Sequence, residues 1–95
     1  MEPYSKYASI ETTVAAEEVN QDMGLSALLY HGTRCTISTD LVVTVKLNDT
    51  ANDSLTIATN GSITLENVLI HELYISNASL TTAANVKIFI VGKSV

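Results

Sequence analysis

The sequence predicts an all-β fold: an antiparallel β-sandwich of jelly-roll type over residues 10–95, preceded by an extended N-terminal arm over residues 1–9. Three observations carry that expectation. Apolar side chains recur every second residue in several segments, the period of a half-buried strand. Thr and Val are abundant in short runs, and turn clusters such as NDTANDS and SNASLTTAAN return at roughly regular spacing, the pattern of a sandwich or jelly roll. A chain of 95 residues fits one domain and leaves little room for a second core.

The elements follow in order. MEPYSKYASI reads as an arm, since Pro3 discourages an early helix and Tyr4, Tyr7 and Ile10 supply anchors for a partner. Such an arm could add a strand to a neighbour's sheet. SIETTV reads as a strand. In AAEEVNQDM the residues Ala15, Val19 and Met23 recur every four positions, as in a helix, but Thr12, Thr13 and Val14 before them favour extended chain. A strand is therefore expected there as well.

LSALLYHG and TRCTIS read as two strands separated at His31-Gly32, a turn-compatible pair. In LVVTVKLN, Leu41, Val43, Val45 and Leu47 share one face while Val42, Thr44 and Lys46 share the other. SLTIATNGSITL has alternation on both sides of Asn60-Gly61 and predicts a hairpin with a type I′ turn. In NVKIFIVG, Val86, Ile88 and Ile90 oppose Lys87, Phe89 and Val91, which suggests a strand covered on much of both faces.

NVLIHELYISN is less regular. Val68 and Ile70 share a face with Glu72 and Tyr74, whereas Leu69, His71, Leu73 and Ile75 share the other, so the apolar emphasis changes sides near His71. Either the strand passes between environments or a bulge resets its phase, and a corner between sheets explains both. The adjacent His71 and Glu72 could supply a metal ligand and a base. HELYI lacks the second histidine of HExxH, however, and a strand does not gather such residues as a helix face does. His31, His71 and Glu72 together could bind zinc or iron inside a jelly roll, but these are the only two histidines and their spacing is not diagnostic. No metal and no cofactor is expected.

Other classes of function are weakly supported. The formal charge is -5 with five basic residues scattered along the chain, whereas phosphate binding relies on a concentrated basic surface, so nucleic acid is not an expected partner. No apolar run approaches the roughly 20 residues that cross a bilayer, so no membrane partner is expected. The start lacks the basic and apolar regions of a secretory signal, which suggests synthesis in the cytoplasm. Cys35 is alone and reads as a small buried hydrophobe rather than a nucleophile. No GxSxG elbow, P-loop or dinucleotide fingerprint occurs, and no catalytic residue is assigned. The N-x-S/T triplets at Asn48, Asn52, Asn60 and Asn77 read as turn chemistry rather than glycan acceptors, and NDTANDS lacks the glycine and terminal glutamate of a calcium loop. With no disulfide, association into a homo-oligomer is the remaining route to stability.

The C-terminal pattern ITLENVLIHELYISNASLTTAANVKIFIVG resembles small β-rich accessory structural proteins of tailed bacteriophages. In these, a strand with an IYISN-like ending is joined by a small-residue loop to a final VKIFIVG-like strand. The similarity covers the last third of the chain and is a pattern of residue types, with no functional residue attached. It implies a noncatalytic virion component: a capsid decoration or cement protein touching major capsid or other virion proteins, or else a neck, tail or fibre module. A soluble glycan- or peptide-binding β-module, with Tyr30 or Tyr74 as stacking surfaces, is the alternative from another class.

Overall fold

A computed structural model describes residues 6–25 and 31–93. The described residues form an all-β chain of eight strands: β1 (Lys6–Val14), β2 (Gln21–Asp22), β3 (His31–Thr39), β4 (Val43–Leu47), β5 (Leu55–Ile57), β6 (Ser62–Ile70), β7 (Leu73–Ser76) and β8 (Ala84–Lys93). They make two four-stranded sheets, ordered β1-β8-β3-β6 and β2-β7-β4-β5. Every pairing is antiparallel. Only the β4–β5 connection joins neighbours within one sheet; every other connection passes from one sheet to the other.

Two-residue alternation produces the core. Val14, Cys35, Ile37, Val86, Ile88 and Ile90 from the first sheet pack with Val43, Val45, Ile57, Leu73 and Ile75 from the second in one buried cluster. The two sheets therefore form a β-sandwich, with the apolar side of each ladder turned inward. The row Leu41, Val43, Val45, Leu47 is inward as expected, while Val42 faces out. On β8, Val86, Ile88 and Ile90 are buried, but Lys87 and Phe89 are exposed, so its second face is open rather than covered.

Several local expectations change. Residues 6–9 are not a free arm: β1 pairs with β8 in unbroken register from Lys6↔Gly92 to Val14↔Ala84. Residues 1–5 lie outside the described part. The AAEEVNQDM segment contributes only Gln21 and Asp22 to a strand. Before it the chain turns with Glu17 and Asn20 at positive φ, and the Glu17 and Asn77 amides bond to Ser79 O and Glu18 O. Those bonds to a neighbouring loop outweigh the local β propensity.

His31 and Gly32 do not separate two strands. Both belong to β3, and the irregularity lies one residue on, where the register with β6 and β8 shifts between Gly32 and Arg34. A side chain at residue 32 would force the buried Ile90 to shift: a Cβ there would lie 2.3 Å from Ile90 Cδ1 and 2.6 Å from its Cγ1. LSALLY falls largely outside the described residues.

Asn60-Gly61 does not close a hairpin either. β5 and β6 belong to different sheets, and the turn between them closes with Gly61 N donating to Ala58 O at 2.9 Å. A type I′ turn needs positive φ at both central residues, whereas here Asn60 has φ 55 and Gly61 is absent from the positive-φ residues. Gly61 is required for another reason, because a Cβ would meet Ala58 O at 2.8 Å.

Polar side chains close the crossings. Asn77, 1% exposed, donates from Nδ2 to Val14 O at 3.0 Å and Thr82 O at 2.9 Å, and its Oδ1 accepts from Ser79 N at 3.0 Å. It thereby ties the end of β1 to the loop before β8. Asp40 accepts from Asn85 N at 2.7 Å and Asn85 Nδ2 at 2.8 Å, while its own carbonyl takes Asn60 N at 3.3 Å. The Asn85 bonds hold the Asp40 carboxyl below its ordinary pKa.

Gly32→Ala should destabilise the chain by about 1–3 kcal/mol, the range for overpacking a filled core, measured as a lowered urea midpoint with unchanged slope. Asn77→Ala leaves two carbonyl groups and the Ser79 amide without their partner and should cost at least about 2 kcal/mol, since each unsatisfied buried group costs about 1–3 kcal/mol; a melting temperature equal to the parent's would show that water replaces the amide.

Candidate interaction surface

Strand alternation decides which side chains face outward on the first sheet. On β1, Tyr7, Ser9, Glu11 and Thr13 are exposed, whereas Ala8, Ile10 and Thr12 are half-buried and Val14 is buried. Of the three residues expected to anchor a partner, Tyr7 thus faces solvent, Ile10 packs against the core on the opposite face, and Tyr4 lies outside the described residues.

Register then assembles rows across the sheet. Ser9, Phe89, Thr36 and Thr64 stand opposite one another, as do Tyr7, Val91, Arg34 and Glu66, and Glu11, Lys87, Ser38 and Ser62. Tyr7 and Phe89 are diagonal neighbours whose ring centroids lie 5.6 Å apart at 33°, within reach of a favourable aromatic contact. They are 66% and 49% exposed. On either side stand the ion pairs Arg34–Glu66 at 3.1 Å and Lys87–Glu11 at 3.5 Å. Pairs this exposed contribute little to stability; their effect is to flank an aromatic centre with balanced charge and hydroxyls. Phe89 was not singled out from the sequence, because alternation alone does not say whether a second layer covers β8.

A second apolar surface lies where the loops after β1 and β7 approach β4. Val19 and Leu80 are 72% and 76% exposed, and with Val42 they border a groove of about 310 Å³ whose rim carries Glu17 and Glu18.

The His71-Glu72 pair is a corner. β6 ends at Ile70 in the first sheet and β7 begins at Leu73 in the second. Asn48 pins the two residues between: its Oδ1 accepts from His71 N at 2.7 Å and Glu72 N at 3.2 Å, its Nδ2 donates to Leu69 O at 2.9 Å, and its own amide donates to Glu72 O at 2.9 Å. Asn48 sits at φ 67, a conformation Asn tolerates better than most residues. Ile70 and Leu73 both face the core although three residues apart, because the chain changes sheets between them. That is the phase change visible in the sequence.

The Gly32↔Ile70 register puts positions 31 and 71 at the same end of the β3–β6 ladder, and the side chain of His31 lies outside the described residues. Among the described residues no group of three or more His, Cys, Asp and Glu is placed to hold a metal. Cys35 is fully buried, and burial pushes its thiol pKa up to about 12, so the nucleophilic thiolate is disfavoured. Asn77, one of the four N-x-S/T asparagines, uses its amide internally and is buried. In NDTANDS, Asp49 Oδ1 caps Ala51 N at 2.8 Å and Asn52 Nδ2 donates to Leu47 O at 2.8 Å, which is turn chemistry.

The chain matches no protein-family model, no curated protein and no solved structure.

Beside the corner, Tyr74 OH donates to Glu72 Oε2, and this bond, ahead of burial and nearby carboxylates, raises the Tyr74 pKa from 10.0 to about 12. A raised folded-state pKa means that the contribution is whole below pH 10.0 and is lost as pH climbs through about 12. Glu72→Gln should therefore move Tyr74 ionisation back toward its ordinary value, read by ultraviolet difference titration against a Tyr74→Phe control; an unshifted titration would mean the bond does not form in solution.

Proposed function

We propose that this chain is a noncatalytic virion structural protein of a tailed bacteriophage, a capsid decoration or cement protein built on a jelly roll and acting through repeated contacts with major capsid or other virion proteins. The observation that carries the reading is strand order. Pairs β1–β8, β2–β7, β3–β6 and β4–β5 are those of one long ribbon folded back on itself, and β3–β8 with β4–β7 are the pairs added when that ribbon is rolled into two layers. Eight strands paired this way support the jelly-roll reading, a plan that serves viral capsid and lectin domains.

An architecture hosts many activities, so the surface must add something. Tyr7 and Phe89 on a flat sheet face, flanked by the ion pairs, suit a docking patch that is weak alone and strong when many copies bind one lattice. Tyr7 is the partner contact in this reading, with Tyr4 before it in sequence. The protein is made in the host cytoplasm and ends in the particle. A neck, tail or fibre position is the variant of this reading, distinguished by where the copies sit.

The same face favours one other reading. Exposed rings bordered by the hydroxyls of Ser9, Thr36 and Thr64 also suit stacking against a sugar ring, as in a glycan-binding module.

Quantitative mass spectrometry of purified particles of the phage encoding this chain should find many copies in fixed ratio to the major capsid protein, with cryo-EM placing them on the shell. Absence from particles, together with glycan binding that Phe89→Ala abolishes, would replace the first reading by the second.

A further inference from the structure

A backbone amide can attack the side-chain carbonyl carbon of the asparagine before it, unless the following side chain crowds the approach or the asparagine amide is held elsewhere. Most asparagines of this chain are held. Asn48 and Asn77 use both ends of the side-chain amide as clamps. Asn52 and Asn85 donate from Nδ2 to Leu47 O and Asp40 Oδ2, both at 2.8 Å, and Asn20 Oδ1 accepts from Ser76 Oγ at 3.3 Å. Asn60 and Asn67 alone make no side-chain hydrogen bond among the described residues. Asn67 lies in a bulge of β6, where the pairing with β3 slips from Arg34↔Glu66 to Gly32↔Ile70. The next residue is Val68, branched and packed against the core. Asn60 is exposed and is followed by Gly61, which has no side chain to obstruct its own amide. The turn is also lightly held: residues 58–60 are exposed, and β5 before them is a three-residue strand at the border of its sheet, the kind of segment that opens locally at small cost. One bond occupies the attacking nitrogen, Gly61 N to Ala58 O at 2.9 Å.

We infer that Asn60 is a site of spontaneous covalent modification in the folded protein, where the Gly61 amide displaces ammonia from its side chain, and that the isoaspartate formed loosens the β5–β6 turn from the end of β3. When the turn opens, Gly61 N gives up its proton and bonds to Asn60 Cγ. The Cγ–Nδ2 bond breaks, and that nitrogen leaves as ammonia with the proton. Water then opens the cyclic imide. Attack at Cγ gives aspartate; attack at the main-chain carbonyl carbon gives isoaspartate, whose backbone runs through Cβ and Cγ and is one methylene longer. The spacing matters at this point, because Asn60 N donates to Asp40 O at 3.3 Å and Gly61 O accepts from Thr39 N at 3.1 Å. Lengthening the chain between those two groups removes the match with the end of β3. Either product also adds a carboxylate to the cleft of about 390 Å³ that Asn60 shares with Asp40, where like charges repel.

The folded chain, incubated at mildly alkaline pH, should gain isoaspartate at residue 60 before any other asparagine changes, read by electron-transfer mass spectrometry of its peptides and by labelling with an isoaspartyl methyltransferase. Asn60→Gln should lose the signal, since its longer side chain must close a larger ring. Amide exchange at Thr39 should be several-fold faster in the converted protein than in fresh parent. It should also be faster than in Asn60→Asp, which carries the new charge without the extra methylene. A folded chain that keeps residue 60 intact overturns the inference, whether or not the urea-unfolded chain converts it. So does earlier conversion at another asparagine, or Thr39 exchange that is the same in converted protein and parent.

Discussion

The fold depends on satisfying the backbone where the chain leaves one sheet for the other. Inside a ladder each N–H and C=O finds its partner automatically, but at a crossing the donors and acceptors on both sides of the gap lose theirs, and burying them unpaired is costly. Three side chains supply the missing partners. Asn77 joins the end of β1 to the loop before β8, Asp40 joins the β3–β4 connection to the start of β8, and Asn48 joins the end of β4 to the β6–β7 corner. Each clamp fixes two connections far apart in sequence, so the layers are held in register by local hydrogen bonds as well as by the apolar core between them. Among the described residues no buried side-chain nitrogen or oxygen lacks a partner.

This division of labour explains what the sequence made legible. Inward rows such as Val43 and Val45, or Val86, Ile88 and Ile90, are set by burial, which acts on side-chain pattern directly, and they read off as alternation. The corner at His71-Glu72 was visible for the same reason, as a change in which face is apolar. Pairing partners are different, because they depend on contacts between residues distant in the chain. Asn60-Gly61 illustrates the gap: an Asn-Gly pair reports that the backbone will take an unusual φ, and Asn60 does, but not whether the next strand returns to its own sheet or crosses to the other. His31-Gly32 misled in the opposite sense. The glycine there answers to the Ile90 side chain pressed against it, a tertiary demand that imitates a turn.

The candidate surface was half legible by the same logic. Tyr7 and Ile10 looked equivalent as anchors when β1 was read as a free arm. Once that segment is a strand, odd and even positions diverge, Tyr7 going to solvent and Ile10 to the core side. Phe89 joins Tyr7 only through the β1–β8 register, and nothing local in NVKIFIVG announces that pairing. The resulting face is backed by a ladder paired on both sides, because β8 lies between β1 and β3. In the proposed reading such a preordered surface loses little conformational entropy at each contact.

The topology also bears on how the edges came to be blunted. Apart from β4–β5, partners are distant in sequence, with β1 and β8 at opposite ends of the chain, and such pairings form slowly because loop closure precedes the contacts that reward it. Until they form, every unpaired strand is open to wrong partners. Short β2 and β5 and the bulge in β6 limit that exposure permanently. β1 cannot be shortened or bulged in the same way without weakening its register with β8, which carries the longest inward row of the core. A strand that must stay long and regular for the core's sake can be protected only by means that leave its geometry intact, such as charged edge side chains or a covering segment.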